Sequence, residues 1–234
     1  MSTATHFHHV NAILTDIEGT CTSLSFVKDT LFPYSRETMA NFVAKHADDP
    51  EIAKLLRDVA QQLGNEQARL PQLVDQLQRW IDEDQKIPAL KAIQGFQWQY
   101  GYQQGDFTGH LYQDAYDQFQ YWRSRQIDLY VYSSGSIKAQ KLLFSHSTYG
   151  DISDWFAGFF DTGVGKKTDT QSYQRIAAEI SQASANILFL SDITAELDAA
   201  HQSGMQVACL QRSTPVPCNY FVANDFNAIH VSND

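Results

Sequence analysis

An apolar run, Val10 to Leu14, leads directly into Asp16-Ile17-Glu18-Gly19-Thr20, and that junction constrains the fold more than any other stretch of the chain. Val, Ala, Ile and Leu in a run of that length read as a buried strand, which puts the two acids at the rim of a sheet. In open parallel sheets the crevice beyond the strand carboxyl ends is where ligands bind. Two carboxylates one residue apart repel each other there unless a cation or a proton compensates them. Taken alone, the pair also fits a solvated acidic turn. Its companions along the chain decide between the two.

Further strand-like runs lie at Leu129–Tyr132, Ile187–Leu190 and Val207–Leu210, separated by amphipathic stretches around Ile137–Phe144, Ser172–Ser181 and Ala195–Gln202. Strands alternating with helices predict βαβ units and a parallel sheet covered on both faces. Phe156–Phe160 and Ala228–Val231 are expected to extend or edge that sheet. From Pro33 to Gly109 the alternation stops: Asp49-Pro50 marks a helix start, Leu70–Ile81 repeats at helical spacing, and Pro88 opens another helix. The expected organisation is α/β, a Rossmann-like core with a parallel sheet (1–32 and 110–234), plus an inserted all-helical cap domain (33–109). Gly95 to Tyr102, rich in aromatics, reads either as a packing seam between cap and core or as a substrate-facing wall.

Charge narrows the function. The chain of 234 residues carries a net charge of −10 and no run of Lys or Arg, which excludes a nucleic-acid binder. It does not exclude phosphate esters, since a metal and one lysine reverse a local field. Cys21, Cys209 and Cys218 form no CxxC pair, so free thiols in a reducing compartment are expected. Met1 to His8 lacks a signal-peptide pattern and no apolar run spans a bilayer, so the expectation is a cytoplasmic protein without membrane contact. No heptad seam demands a partner, and a monomer is expected. His6, His8 and His9 are expected in a frayed, solvated terminus.

Three segments accompany the acidic pair. Ser133-Ser134-Gly135-Ser136 follows the second strand, where small residues let backbone N–H groups approach an anion. Lys166 and Lys167 follow the glycine-bearing loop Asp161–Gly165, with Thr168 and Gln171 read as a capping box. The spacing does not match a Walker loop. Leu190-Ser191-Asp192 ends the third strand, with Glu196 one helical turn later. Mg²⁺ takes oxygen ligands in near-octahedral geometry; Asp16, the Glu18 carbonyl and Asp192 supply a protein share of that shell.

In this order, each at the end of an apolar run, the four segments resemble the haloacid-dehalogenase superfamily of phosphohydrolases. Asp-Ile-Glu-Gly-Thr, Ser25-Phe26-Val27-Lys28-Asp29, Leu31-Phe32-Pro33-Tyr34, Tyr132–Ser136, Lys141–Phe144 with His146-Ser147-Thr148, Phe160-Asp161-Thr162 and Asn186–Leu190 make the match narrower. The chain is similar to the enolase-phosphatases (acireductone synthases) of methionine salvage. It departs at Cys21, where threonine is common, and at Lys166, where histidine is frequent.

The resemblance implies a Mg²⁺-dependent enzyme, one ion per subunit, acting on a small phosphate ester. The reaction implied is enolisation of 2,3-diketo-5-methylthiopentyl 1-phosphate, then hydrolysis of the phosphate to release the acireductone. Asp16 would be the nucleophile and Glu18 the acid/base. Ser133, Ser134 and Lys167 would bind the phosphoryl group, and Asp16, Glu18 and Asp192 the metal. Lys166 stays an alternative to Lys167, and the base for enolisation is left open between Glu18, a cap residue and water acting on a metal-stabilised enolate. A phosphatase for another small ester, and a catalytically silent scaffold, are the rival readings.

Overall fold

The computed structural model describes residues 5–212 and 215–233. In chain order, β1 (Thr5–Phe7) and β2 (Ala12–Thr15) precede a helical run of α1 (Leu24–Phe26), a π turn (Val27–Leu31) and α2 (Phe32–His46). Helices α3 (Pro50–Gln62), α4 (Leu70–Asp82) and α5 (Pro88–Gln104) follow. Then come α6 (Gln113–Ser124), β3 (Asp128–Tyr132), α7 (Ile137–Ser145), β4 (Phe156–Phe160) and α8 (Thr170–Glu179). The chain closes with β5 (Ile187–Ser191), α9 (Thr194–Gln202), β6 (Gln206–Leu210), β7 (Phe221–Ala223) and β8 (Ile229–Val231).

Six strands form a parallel sheet in the order β4-β3-β2-β5-β6-β7. The fold is α/β, with β2 among the central strands. Every residue of β2 and β5 is buried, which is why both read as unbroken apolar runs rather than alternating ones. Thr15 is in register with Val131 on one side and Leu190 on the other. The segments that follow β2, β3 and β5 therefore emerge at one edge.

Contacts divide the chain into two compact units, Met1–Leu24 with Gly109–Asp234 and Ser25–Thr108. The second is all-helical among its described residues. It begins at Ser25 where the sequence pattern suggested Pro33, because the run from α1 through the π turn into α2 is unbroken and Trp98 Nε1 donates to the Leu31 carbonyl (3.0 Å). Its core joins Met39, Val43, Leu56, Val59, Leu77 and Ile93. The aromatic stretch packs within this unit: a side chain at Gly101 would run into Phe107 and Tyr34.

Three sequence expectations change. The end of the chain does not extend the main sheet; β8 pairs with β1 in a separate parallel ribbon. His6 is thereby held in a strand, its ring stacked on His230 at 5.1 Å, rather than frayed; residues 1–4 lie outside the described residues. The cap of α8 is Asp169, whose carboxylate accepts from Gln171 N–H (3.0 Å), and not Thr168.

Candidate active site

Beyond β2 the chain turns tightly. Thr20, Cys21 and Thr22 all donate backbone N–H groups to the Ile17 carbonyl (3.2, 3.1 and 2.9 Å). Gly19 has φ +78°, and a Cβ there would strike the Asp192 carboxylate, so only glycine allows this approach. Asp16 is buried with its amide on Leu190 O (2.9 Å), and Glu18 is half-buried in the turn. Asp192 donates its amide to Thr20 Oγ1 (3.1 Å).

Lys167 is buried and ion-paired to Asp16 Oδ1 and, at 2.6 Å, to Glu196 Oε2. Tyr173 OH donates to the Lys167 carbonyl (2.7 Å) and fixes that backbone. Lys166 is exposed. Ser133 is buried after β3, its amide on Phe160 O (3.1 Å) and its hydroxyl oxygen accepting from Gly135 N–H (3.2 Å). Gln140 braces that loop, donating to Gly135 O (2.8 Å) and Phe160 O (2.9 Å). Ser134 is exposed at the sheet's carboxyl edge. The structure thus brings Asp16, Asp192 and Lys167 together, with Ser133 and Ser134 one strand away.

Glu196 was named from the sequence without a role. It accepts from Ser191 Oγ (2.9 Å) as well as from Lys167. Its signal was its place in the buried stripe of α9, beside Leu197 and Ala200.

The electrostatics are lopsided. Burial alone would depress Lys167, but Asp16 and Glu196 together hold its pKa above the ordinary lysine value. Glu196 also shifts upward, through burial and then the Asp16 charge, although an ion pair by itself would lower a carboxylate. The two shifts conflict only if the pair is isolated. One ammonium faces three carboxylates, and it cannot compensate all of them. Burial, then Asp16, pushes Asp192 up to about 6.

The comparisons point the same way. A family profile described as haloacid dehalogenase-like hydrolase matches residues 10–204. The chain is 50% identical over 204 residues to the enolase-phosphatase E1 of Thioalkalivibrio sulfidiphilus, covering 86% of this chain and 89% of that protein. Against the enolase-phosphatase E1 of Xylella fastidiosa, identity is 51% over 209 residues, 88% of each. This chain belongs to the enolase-phosphatase family of haloacid dehalogenase-like hydrolases. The crystal structure of the UTR4 protein from Saccharomyces cerevisiae matches with a TM-score of 0.80 at 35% identity, over 93% of this chain and 99% of that one.

Enzymes of this family typically depend on Mg²⁺. Among the described residues, no group of three or more His, Cys, Asp or Glu side chains forms a ready-made metal cage. Mg²⁺ usually keeps waters and uses one or two carboxylates. Asp192 Oδ1 is buried without a hydrogen-bond partner. An orphaned carboxylate oxygen beside uncompensated negative charge fits a divalent cation. No helix among the described residues is long and apolar enough to cross a membrane.

Proposed function

We propose that this enolase-phosphatase acts on 2,3-diketo-5-methylthiopentyl 1-phosphate, enolising it and then hydrolysing the ester through an aspartyl-phosphate on Asp16. Asp16 attacks phosphorus while Glu18 protonates the leaving oxygen; Glu18 then takes a proton from the water that cleaves the acyl phosphate. Ser133 and the backbone at Ser134 hold phosphoryl oxygens. Lys167 fixes Asp16 through Oδ1 and offsets the charge of the phosphoryl group.

One Mg²⁺ per subunit would be held by Asp16, the Glu18 carbonyl and Asp192, and it supplies positive charge that lets two anions approach. The helical unit takes the role of cap and discriminates among substrates. The enzyme works as a monomer of about 26.5 kDa, which light scattering on the eluting peak tests directly. What supports the reading most is the buried Asp16–Lys167 ion pair at the carboxyl end of β2. Purified protein should release inorganic phosphate from the diketo phosphate only when Mg²⁺ is present. Release from glycolate or sugar phosphates instead, with the diketo ester untouched, would reassign the substrate.

A further inference from the structure

Two carbonyls of the buried acidic turn are bound by residues from distant parts of the chain. Tyr112 N–H donates to Cys21 O (3.1 Å), and Arg212 Nε donates to Thr20 O (2.8 Å). Arg212 lies just past β6. Its side chain is only 11% exposed, and Nη1 meets Asp114 Oδ2 at 2.7 Å. Asp114 is itself fixed, accepting the Phe226 amide at 2.8 Å. The guanidinium also lies 4.1 Å from the Tyr112 ring centroid and 5.2 Å from that of Phe226, while Nη2 is buried without a hydrogen-bond partner. A guanidinium held through Nε and Nη1 and packed near two rings has little freedom left.

Thr20 is where this matters. Its carbonyl is held by Arg212, while its hydroxyl oxygen accepts the Asp192 amide (3.1 Å). One residue therefore joins the turn carrying Asp16, the start of the Asp192 segment and the loop after β6. We propose that Arg212 is a positioning residue: through Thr20 it fixes the separation of the Asp16 and Asp192 carboxylates, and so sets Mg²⁺ affinity and turnover. It contacts none of the groups assigned to the chemistry. The inference rests on the metal assignment made above, and not on the identity of the substrate.

The comparison to make is wild type against Arg212→Lys, which keeps the charge and loses the fork, with Asp114→Asn and Thr20→Val as independent breaks in the same chain. Three quantities are measured: Mg²⁺ dissociation constant by calorimetry, kcat and KM on the diketo phosphate, and melting temperature without metal. Residues that orient metal ligands typically change affinity or activity by about 10–100-fold. Arg212→Lys should weaken Mg²⁺ by about tenfold or more and lower kcat, leaving KM within about threefold. Asp114→Asn and Thr20→Val should shift both in the same direction by less. A melting temperature that falls while Mg²⁺ affinity and kcat stay at wild-type values would reduce Arg212 to a structural strut and overturn the proposal. Should Arg212→Lys not fold, the other two variants decide by the same criterion. If wild type binds Mg²⁺ but ignores the diketo phosphate, the substrate assignment fails while the calorimetric test of Arg212 stands. If it binds no Mg²⁺, both fall.

Discussion

The two units bury polar groups for opposite ends. Inside the helical unit, Ser35 Oγ donates to Gln97 Oε1 (2.7 Å), and Gln97 Nε2 donates to Ser35 O (3.0 Å) and Thr38 Oγ1 (3.1 Å). That set is neutral and closed. In the core, Asp16 and Glu196 share one ammonium, and nearby Asp192 is not paired to it and has an oxygen left without a partner. A closed network costs little and fixes one packing. An open, charged one destabilises the fold and is retained for what it binds. An orphaned buried atom is not confined to the core, since His46 Nε2 in the helical unit is one too, so what distinguishes the corner is its excess of charge.

Removing the nucleophile should break this contrast hardest. Asp16→Asn takes away the attacking oxygen and one excess negative charge, while Lys167 keeps Glu196. Phosphate release should fall by about 10⁴-fold or more. The metal-free melting temperature should hold or rise, as expected when a site carries repulsion for the sake of function. Activity near the wild-type level would take the nucleophile assignment with it.

Lys167→Ala acts in the opposite sense on stability. Three carboxylates remain with no cation, and breaking a buried pair costs about 3–5 kcal/mol. Turnover should drop as well, by about 10²-fold or more, since the dianionic phosphoryl group loses its counter-charge. Chemical denaturation reads the first effect and initial rates the second. A variant as stable as wild type would mean that the corner is already neutralised by protons.

Acid titration sharpens the same point. Asp192 ordinarily titrates near 3.8 and is pushed up to about 6 by burial and Asp16. The folded chain thus holds that proton more tightly than the unfolded one. The stability it lends is full below about pH 4 and is lost as pH rises through about 6. Glu196, also raised, adds to the loss. Mg²⁺ replaces the proton, so its affinity should weaken by up to about tenfold per pH unit below about pH 6. Melting curves with and without Mg²⁺ should therefore separate more at pH 7 than at pH 5. Equal separation at both would argue that the ion binds away from Asp192.

How much of this the sequence carried follows from range. The β2, β3 and β5 runs were legible because each strand is mostly buried, and the acids and serines follow them directly, while Lys167 stands seven residues beyond β4. The β1–β8 ribbon was not, since it joins residues more than 200 positions apart through three-residue strands. Arg212 escaped for a similar reason, its partners Thr20 and Asp114 lying 192 and 98 positions away. At α8 the signal was local but double. Thr168 and Asp169 can both cap a helix, and the turn closed by Asp169 N–H on Lys166 O (3.0 Å) moves the start to the second. Glu196 could be placed one helical turn after Asp192 but given no role, because only tertiary packing puts it against Lys167.

The mildest perturbation belongs to the closed network. Ser35→Ala removes one donor and leaves Gln97 Oε1 buried without its partner. A buried acceptor stranded this way costs about 1–3 kcal/mol. The loss stays inside the helical unit, because Ser35, Gln97 and Thr38 spend their hydrogen bonds on one another and on backbone there. Denaturation should show the destabilisation, while kcat and Mg²⁺ affinity of the folded fraction stay within about twofold of wild type. Replacing Gln97 by Leu in the same background should recover part of the lost stability, since removing both partners costs less than stranding one. A change in Mg²⁺ affinity on Ser35→Ala would show that the neutral network and the charged corner are not energetically separate, and the division of labour between scaffold and site would have to be redrawn.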